Sequence, residues 1–406
     1  MKKSRGRTGR KRRRKHLKSF MDGVNCSHKL EYIKLKKWLK ERGFEDSNLR
    51  PAEFWGNAGD LIISLPEKCL LTTGTPPVSP LLALCTFLIA EKHTGQKSPW
   101  KPYLDVLPKA YTCPACLEPD VINLLPKPLK KKAQEQKMLI QELFQSSRAF
   151  FSSLQPLFAE DTGNIFNFSA LQWAWCTVNT RTIYMKHPHR ECFSLEPDVY
   201  ALAPYLDLLN HSPNVQVKAG FNEQTRSYEI WTESQCKKYQ EVLISYGPHD
   251  NQRLLLEYGF VAMDNPHSSV YVSADTLLKY FSPLDKQREA KVSILKDHDF
   301  LENLTFGWEG PSWRLLTALK VLSLAADELC LCFDSRNEQQ ALGTATKICQ
   351  FLIEETQHVL LQISQLKRDK ENLKTHLALV EMLRLEDLKI LQKSAEILCN
   401  LNLGTA

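Results

Sequence analysis

Apolar residues recur at helical spacing in several stretches of the chain. Leu30, Ile33, Trp38 and Leu39 do so within residues 28–42, and Gly43 follows as a stop, which predicts a short helix. Leu61-Ile62-Ile63-Ser64-Leu65-Pro66 predicts a buried strand ended by proline. Residues 79–93 predict a helix with Pro80 in its first turn; it is apolar on nearly every side and therefore internal. Residues 96–126 are Pro-rich and irregular. Helical patterning returns over 129–160, from the charged start Lys130-Lys131-Lys132. It returns again from Phe168 to Thr180, where Leu171, Trp173, Trp175 and Val178 predict a core helix.

The period then changes. Residues 203–262 alternate short β-like runs with turns. Val215–Ala219 and Ser227–Trp231 predict a hairpin around Asn222-Glu223, and Glu241–Tyr246 predicts a further strand closed by Gly247-Pro248. Asp250 or Asn251 then caps a short helix through Glu257. After Pro311 there is no proline, and between Gly343 and Gly404 no glycine, so this stretch is helical. Leu352, Val359, Leu366, Leu373 and Val380 fall at steps of seven, with Ile363 and Leu377 between them. That seam suits a partner-binding coiled coil or an antiparallel bundle packed on itself; Leu388, Leu391 and Leu398 favour the bundle. No internal repeat is visible.

Composition changes the picture at one end. Residues 1–18 hold eleven of the 53 Lys and Arg and no acid, while the other 388 residues carry 42 bases against 46 acids, a net of −4. The overall +7 is therefore the work of a basic tail over residues 1–22, which does not fold on its own. Lys11-Arg12-Arg13-Arg14-Lys15 reads as a nuclear address, as a non-specific phosphate-binding arm, or as a solvated tail without a partner. The 43% hydrophobic and 24% charged content is that of a folded soluble protein, and 12 Cys in 406 residues is too sparse for a disulfide scaffold. The longest apolar stretch, Leu81–Ala90, is about half of the roughly 20 residues a membrane-spanning helix needs, and no signal peptide follows the charged start.

Candidate chemistry is sparse. Cys113-Pro-Ala-Cys116 is a lone CxxC; a structural zinc needs four ligands, and only His187, His189 and Cys192 offer a supplement, so two loop thiols are the simpler reading. No Walker loop and no G-x-G-x-x-G is present, and Gly56-Asn-Ala-Gly59 is too short to cradle a dinucleotide. What remains is Ala203-Pro-Tyr-Leu-Asp207-Leu-Leu-Asn210-His211-Ser212, followed by Ile244-Ser-Tyr246-Gly247 and Glu257-Tyr258-Gly259-Phe260. Taken singly, each piece is an ordinary polar turn or core aromatic.

In this order and spacing, the pieces resemble the SET-domain methyltransferases of the subclass that includes the Rubisco large-subunit methyltransferase. Trp100-Lys-Pro-Tyr-Leu-Asp-Val-Leu-Pro108 is similar to that subclass's helical insertion, and Leu171–Arg181 to its helix ending in a cofactor-side arginine. The resemblance covers roughly residues 25–400. It implies an α+β fold: a knotted, β-rich SET domain over 23–262 with a helical insertion at about 79–200, then an all-α substrate-binding domain over 263–406. One departure stands out. The family opens its SET domain with a Gly-x-Gly turn, whereas Gly56-Asn-Ala-Gly59 runs straight into Asp60–Pro66, and segments are missing here and near Thr75-Pro-Pro77.

The resemblance further implies methyl transfer from S-adenosylmethionine (AdoMet) to a protein lysine, with room for a histidine acceptor. Histone tails and other proteins are the expected partners, in nucleus and cytoplasm. The basic tail would add a non-specific nucleic-acid contact, and no membrane is involved. The catalytic residues are expected to be Tyr246, the active-site tyrosine, and Tyr258, a second channel wall. For the cofactor, Arg181 would meet the carboxylate, Asn210 the amino-acid end and His211 the adenine, with Gly259 and Phe260 closing the adenine side. Asp207 would orient the Asn-His turn or simply bond within it. The altered Gly-x-Gly turn leaves a second reading: a catalytically impaired module that binds chromatin or protein.

Overall fold

The computed structural model describes residues 29–45, 58–72, 78–185, 200–235, 241–281, 285–324 and 335–404. The basic tail, Gly56, Thr75-Pro-Pro77, His187, His189 and Cys192 lie outside them. The chain forms two compact units. The first draws on residues 1–110 and 144–247, the second on residues 111–143 and 248–406.

In the first unit, Leu61–Pro66 is the edge of a three-stranded antiparallel sheet, next to Ser227–Thr232 and then Val217–Asn222. Ile62, Ile63 and Leu65 of the edge strand are fully buried. Proline is tolerated as the last residue of an edge strand because it removes no central ladder bond. The hairpin forms where expected, but its first strand is shifted toward the turn, pairing Asn222 with Ser227. Arg226, at φ 51°, closes that turn, and its guanidinium reaches Glu67 at 2.6 Å. Ahead of the edge strand, the Gly59 N–H donates to the Thr232 carbonyl at 2.7 Å, so what remains of the glycine turn is tied to the end of the hairpin.

The Pro80–Thr94 helix starts at Ser79, whose hydroxyl accepts from the Leu82 N–H, and stops at Gly95. It packs on the Phe168–Arg181 helix, which Asn167 caps. Residues 96–126 are less irregular than their prolines imply, because prolines open short helices at Lys101–Leu104 and Pro119–Ile122. The expected helix over 129–160 is the Lys127–Ser153 helix, and Pro156 accounts for its early end.

The second unit is dominated by two long helices, Ser335–Asp369 and Lys374–Gly404. Lys367 pairs with Glu381, the Cys349 thiol donates to the Leu391 carbonyl, and Asn402 reaches Thr346. Partner numbers fall as the first helix's rise, so the helices are antiparallel. The steps-of-seven seam passes through the turn at Lys370–Leu373, which makes it the inside of a self-packed bundle. Ile363, Leu377 and Val380 are buried in one apolar cluster with Leu125 and Leu129. The region expected to be wholly helical also carries a short sheet, Val270–Tyr271, Thr305–Gly307 and Gly310–Pro311, whose Phe306 is fully buried.

Candidate active site

Two of the expected residues share a strand. Asn210 and His211 pair in parallel with Leu243 and Ile244. Only two residues per side take part, so the strand expected over 241–246 is reduced to Leu243–Ile244. This pairing carries Tyr246 to His211. The Tyr246 N–H donates to His211 Nδ1 at 3.1 Å, the two rings lie 5.1 Å apart, and the Tyr246 hydroxyl donates to the Leu209 carbonyl at 2.6 Å. With its proton committed to a carbonyl, the phenol oxygen can only accept from any further group. Asn210 is exposed and donates its amide to Glu241 at 2.6 Å.

Just upstream, Leu206–Leu208 makes a single 3₁₀ turn. Its entry residue, Tyr205, is buried and holds φ 76°, ψ −40°, a backbone region costly for any side chain but glycine's. Asp207, within the turn, has its side chain 1% exposed. Arg181, at the end of the Phe168–Arg181 helix, donates to the Asp207 main-chain carbonyl at 2.8 Å and stands 3.9 Å from its carboxylate. The Tyr103 hydroxyl donates to the same carboxylate at 2.8 Å. Burial pushes the Asp207 carboxyl up to about 6; Arg181, the Tyr103 hydroxyl and nearby backbone N–H groups act against that rise.

Five expected residues, Arg181, Asp207, Asn210, His211 and Tyr246, thus form one connected group. Tyr258, Gly259 and Phe260 belong to the second unit. There, Leu254–Tyr258 is a single π-helical turn ended by Gly259 at φ 77°. The Tyr258 ring stacks on His249 at 6.0 Å, and its hydroxyl is held more firmly protonated by burial and then by Glu257. A Cβ on Gly259 would stand 2.8 Å from Thr112 Oγ1 and 3.0 Å from the Cys113 N. The glycine is therefore required by contact with the Thr112-Cys113 turn, whatever it adds toward a ligand. Cys113 is buried beside it, and the Cys116 N–H closes the turn onto the Cys113 carbonyl at 2.8 Å. Among the described residues, no three His, Cys, Asp or Glu are grouped to hold a metal, and no helix is long and apolar enough to cross a membrane.

Sequence reasoning missed Tyr103, Glu241 and the strained Tyr205. Nothing local marks them, since Tyr103 lies 104 residues from the carboxylate it serves and Glu241 lies 31 from Asn210.

Comparison with known proteins bears on this geometry. The chain is 58% identical to the human protein named SET domain-containing protein 4, over 99% of each chain. It belongs to the SET domain-containing protein 4 family. The family is that of the Rubisco LSMT-like SET methyltransferases, so the chain is a protein methyltransferase by class. The "Rubisco LSMT substrate-binding" family model matches residues 282–391, within the helical C-terminal region. A ribosomal lysine N-methyltransferase of Schizosaccharomyces pombe is 28% identical, over 67% of this chain and 66% of its own. The crystal structure of the SET domain of LSMT bound to lysine and AdoHcy shares the fold, with a TM-score of 0.59 at 17% identity over 92% of each chain. The architecture is thus that of LSMT: a mixed SET region followed by a helical substrate-binding domain. The match to the human family member runs over 435 aligned positions, whereas this chain has 406 residues, so at least 29 of those positions face internal gaps in it.

Proposed function

We propose that this family member transfers the methyl group of AdoMet to the side-chain nitrogen of protein lysines. The joining of Asn210-His211 to Tyr246 by strand pairing and the His211–Tyr246 bond carries the reading. The first unit's residues fit the donor. Arg181 offers a guanidinium suited to a planar carboxylate, with its side chain 20% exposed, and the exposed Asn210–Glu241 pair offers both a donor and an anion for the ammonium end. AdoMet supplies a methyl carbon made electrophilic by the adjoining sulfonium.

The chain's own task is to present a neutral nitrogen in line. Freeing a lysine amine at pH 7 costs about 4.6 kcal/mol from its reference pKa near 10.4, and an apolar surround reduces that cost by disfavouring the ammonium. Once the proton has left, the nitrogen lone pair forms the new N–C bond as the C–S bond breaks, leaving a neutral thioether. The Tyr246 oxygen, limited to accepting, orients the amine through one of its N–H bonds. Asp207 holds Arg181 and the turn leading to Asn210, and His211 takes the adenine side. For Tyr258, Gly259 and Phe260, which belong to the second unit, the family resemblance alone carries the proposed roles of channel wall and adenine cover.

The lysine-bearing partners we infer are histone tails or other nuclear and cytoplasmic proteins, approached with help from the basic residues 1–18. The S. pombe relative's ribosomal substrate supports the wider class. The SET domain is assigned to 23–262 and substrate binding to 263–406, with the family match over 282–391 supporting the latter.

Calorimetric titration with AdoMet, followed by mass spectrometry of peptide arrays, tests this. Saturable binding that Asn210→Ala abolishes, with methyl groups found on lysine, is the expected result. Methylation of histidine would reject the acceptor. The internal shortening favours one other reading, a binding module without transfer, and absence of any heat at millimolar AdoMet would establish it.

A further inference from the structure

Tyr103 has no part in the function described so far, yet it is buried, at 1% exposure. A buried phenol that only filled space would do as well as phenylalanine. This one spends its hydroxyl on a carboxylate 104 residues away. The carboxylate is unusual in turn. Asp207 is buried, follows a strained backbone at Tyr205, and holds Arg181 in two ways, through its main-chain carbonyl at 2.8 Å and its carboxylate at 3.9 Å. The same turn runs directly into Leu209, which accepts from Tyr246, and then into Asn210 and His211.

We propose that Tyr103 is a positioning residue of the methyl-donor site: its hydroxyl fixes the Asp207 carboxylate, and through it the Arg181 guanidinium and the turn that presents Asn210 and His211. The inference rests on the donor-binding reading above. The physical reason is directional. Coulomb attraction to Arg181 fixes the distance of the carboxylate but hardly its rotation, whereas an O–H donor at 2.8 Å fixes one oxygen in direction. Among the described residues, two charged or titratable groups face Asp207, Arg181 from the Phe168–Arg181 helix and Tyr103 from the Lys101–Leu104 helix. Both favour its ionised form, which the clamp on Arg181 needs. Tyr103 thus helps to set how far the pH can fall before the carboxylate takes a proton and leaves the guanidinium to the main-chain carbonyl alone.

The experiment uses the full chain and AdoMet as the probe, with affinity measured between pH 5 and 8. Tyr103→Phe keeps the ring against Trp100, at 6.5 Å, and removes only the donor. It should weaken AdoMet about five- to tenfold at pH 7.5, less than the full worth of one hydrogen bond to a charged group, because the loss reaches the ligand only through Asp207 and Arg181. It should also move the acid limb of binding upward by half a pH unit or more. Replacing Tyr103 with 3-fluorotyrosine, a stronger donor of nearly the same shape, should move that limb downward, and this second variant reports even if Tyr103→Phe fails to fold. In an Asp207→Asn background, Tyr103→Phe should add little. Unchanged affinity and acid limb in Tyr103→Phe, or both replacements moving the limb the same way, overturn the inference alone. Failure of the parent chain to bind AdoMet overturns the donor-binding reading and this inference with it.

Discussion

His211 Nδ1 accepts a hydrogen bond from the Tyr246 backbone N–H, 35 residues away, at 3.1 Å. The bond requires a lone pair on Nδ1, so the proton of the neutral ring resides on Nε2. His211→Ala removes the acceptor and leaves a part-buried N–H without its partner. It should cost about 1–2 kcal/mol in a urea titration and weaken AdoMet binding more than tenfold. Tyr246→Phe, which leaves that backbone bond in place, should lower methyl transfer about a hundredfold while changing AdoMet affinity only a few fold.

Asp387 sets a pH dependence in the second unit. It is buried, and burial raises its carboxyl to about 7; Arg384 opposes the rise, while Asp250 and Glu386 add to it. The folded-state pKa therefore lies above the unfolded value near 3.9, and the native state holds the extra proton between the two. Stability from this group is present at low pH and is lost as pH rises from about 4 to about 7. Asp387→Asn is neutral throughout. Its stability should therefore fall less than the parent's between pH 4 and pH 8, whatever the loss of the charge facing Arg384 does to the level. Urea titrations of both proteins at the two pH values check the sign.

Gly259→Ala should destabilise by about 1–3 kcal/mol. The methyl group would meet Thr112 Oγ1 and the Cys113 backbone from a φ of 77°, and the backbone neighbour cannot yield as a flexible side chain can. A drop in the thermal midpoint, measured without any ligand, separates this packing role from one in binding.

Cys399 is exposed, whereas Cys69, Cys85 and Cys349 are buried and burial raises each of their thiol pKa values, Cys69 and Cys349 to about 11. A brief exposure of the folded protein to iodoacetamide at pH 7.5 should therefore label Cys399 well before those three, as read by peptide mass mapping. Equal labelling would show that the buried thiols open to solvent on the same timescale.

Much of the fold was legible because periodicity reports burial directly. The apolar run 61–66, the Pro80 start and the glycine-free stretch after 343 all fall where the elements do. The steps of seven left open whether the seam faced a partner or itself, and the answer came from pairs such as Cys349 with Leu391, which no local pattern encodes. The hairpin pairs closer to its turn than expected, and Arg226 within that turn takes a left-handed conformation that its residue type does not advertise. In the site, Asn210, His211 and Tyr246 were readable as a motif. Tyr103 and Glu241 were not, since a hydrogen bond between distant segments leaves no trace in spacing.

The edge strand Leu61–Pro66 pairs with Ser227–Thr232, so Pro66 lies opposite Ser227, more than 160 residues later. At a synthesis rate of about 5–20 residues per second, the ribosome releases the first strand some 8–30 s before its mate exists. For that interval Ile62, Ile63 and Leu65 have no sheet to join. The nascent polypeptide therefore carries a sticky β-segment through about two-fifths of its translation, and its yield in cells should depend on chaperones that cover such segments.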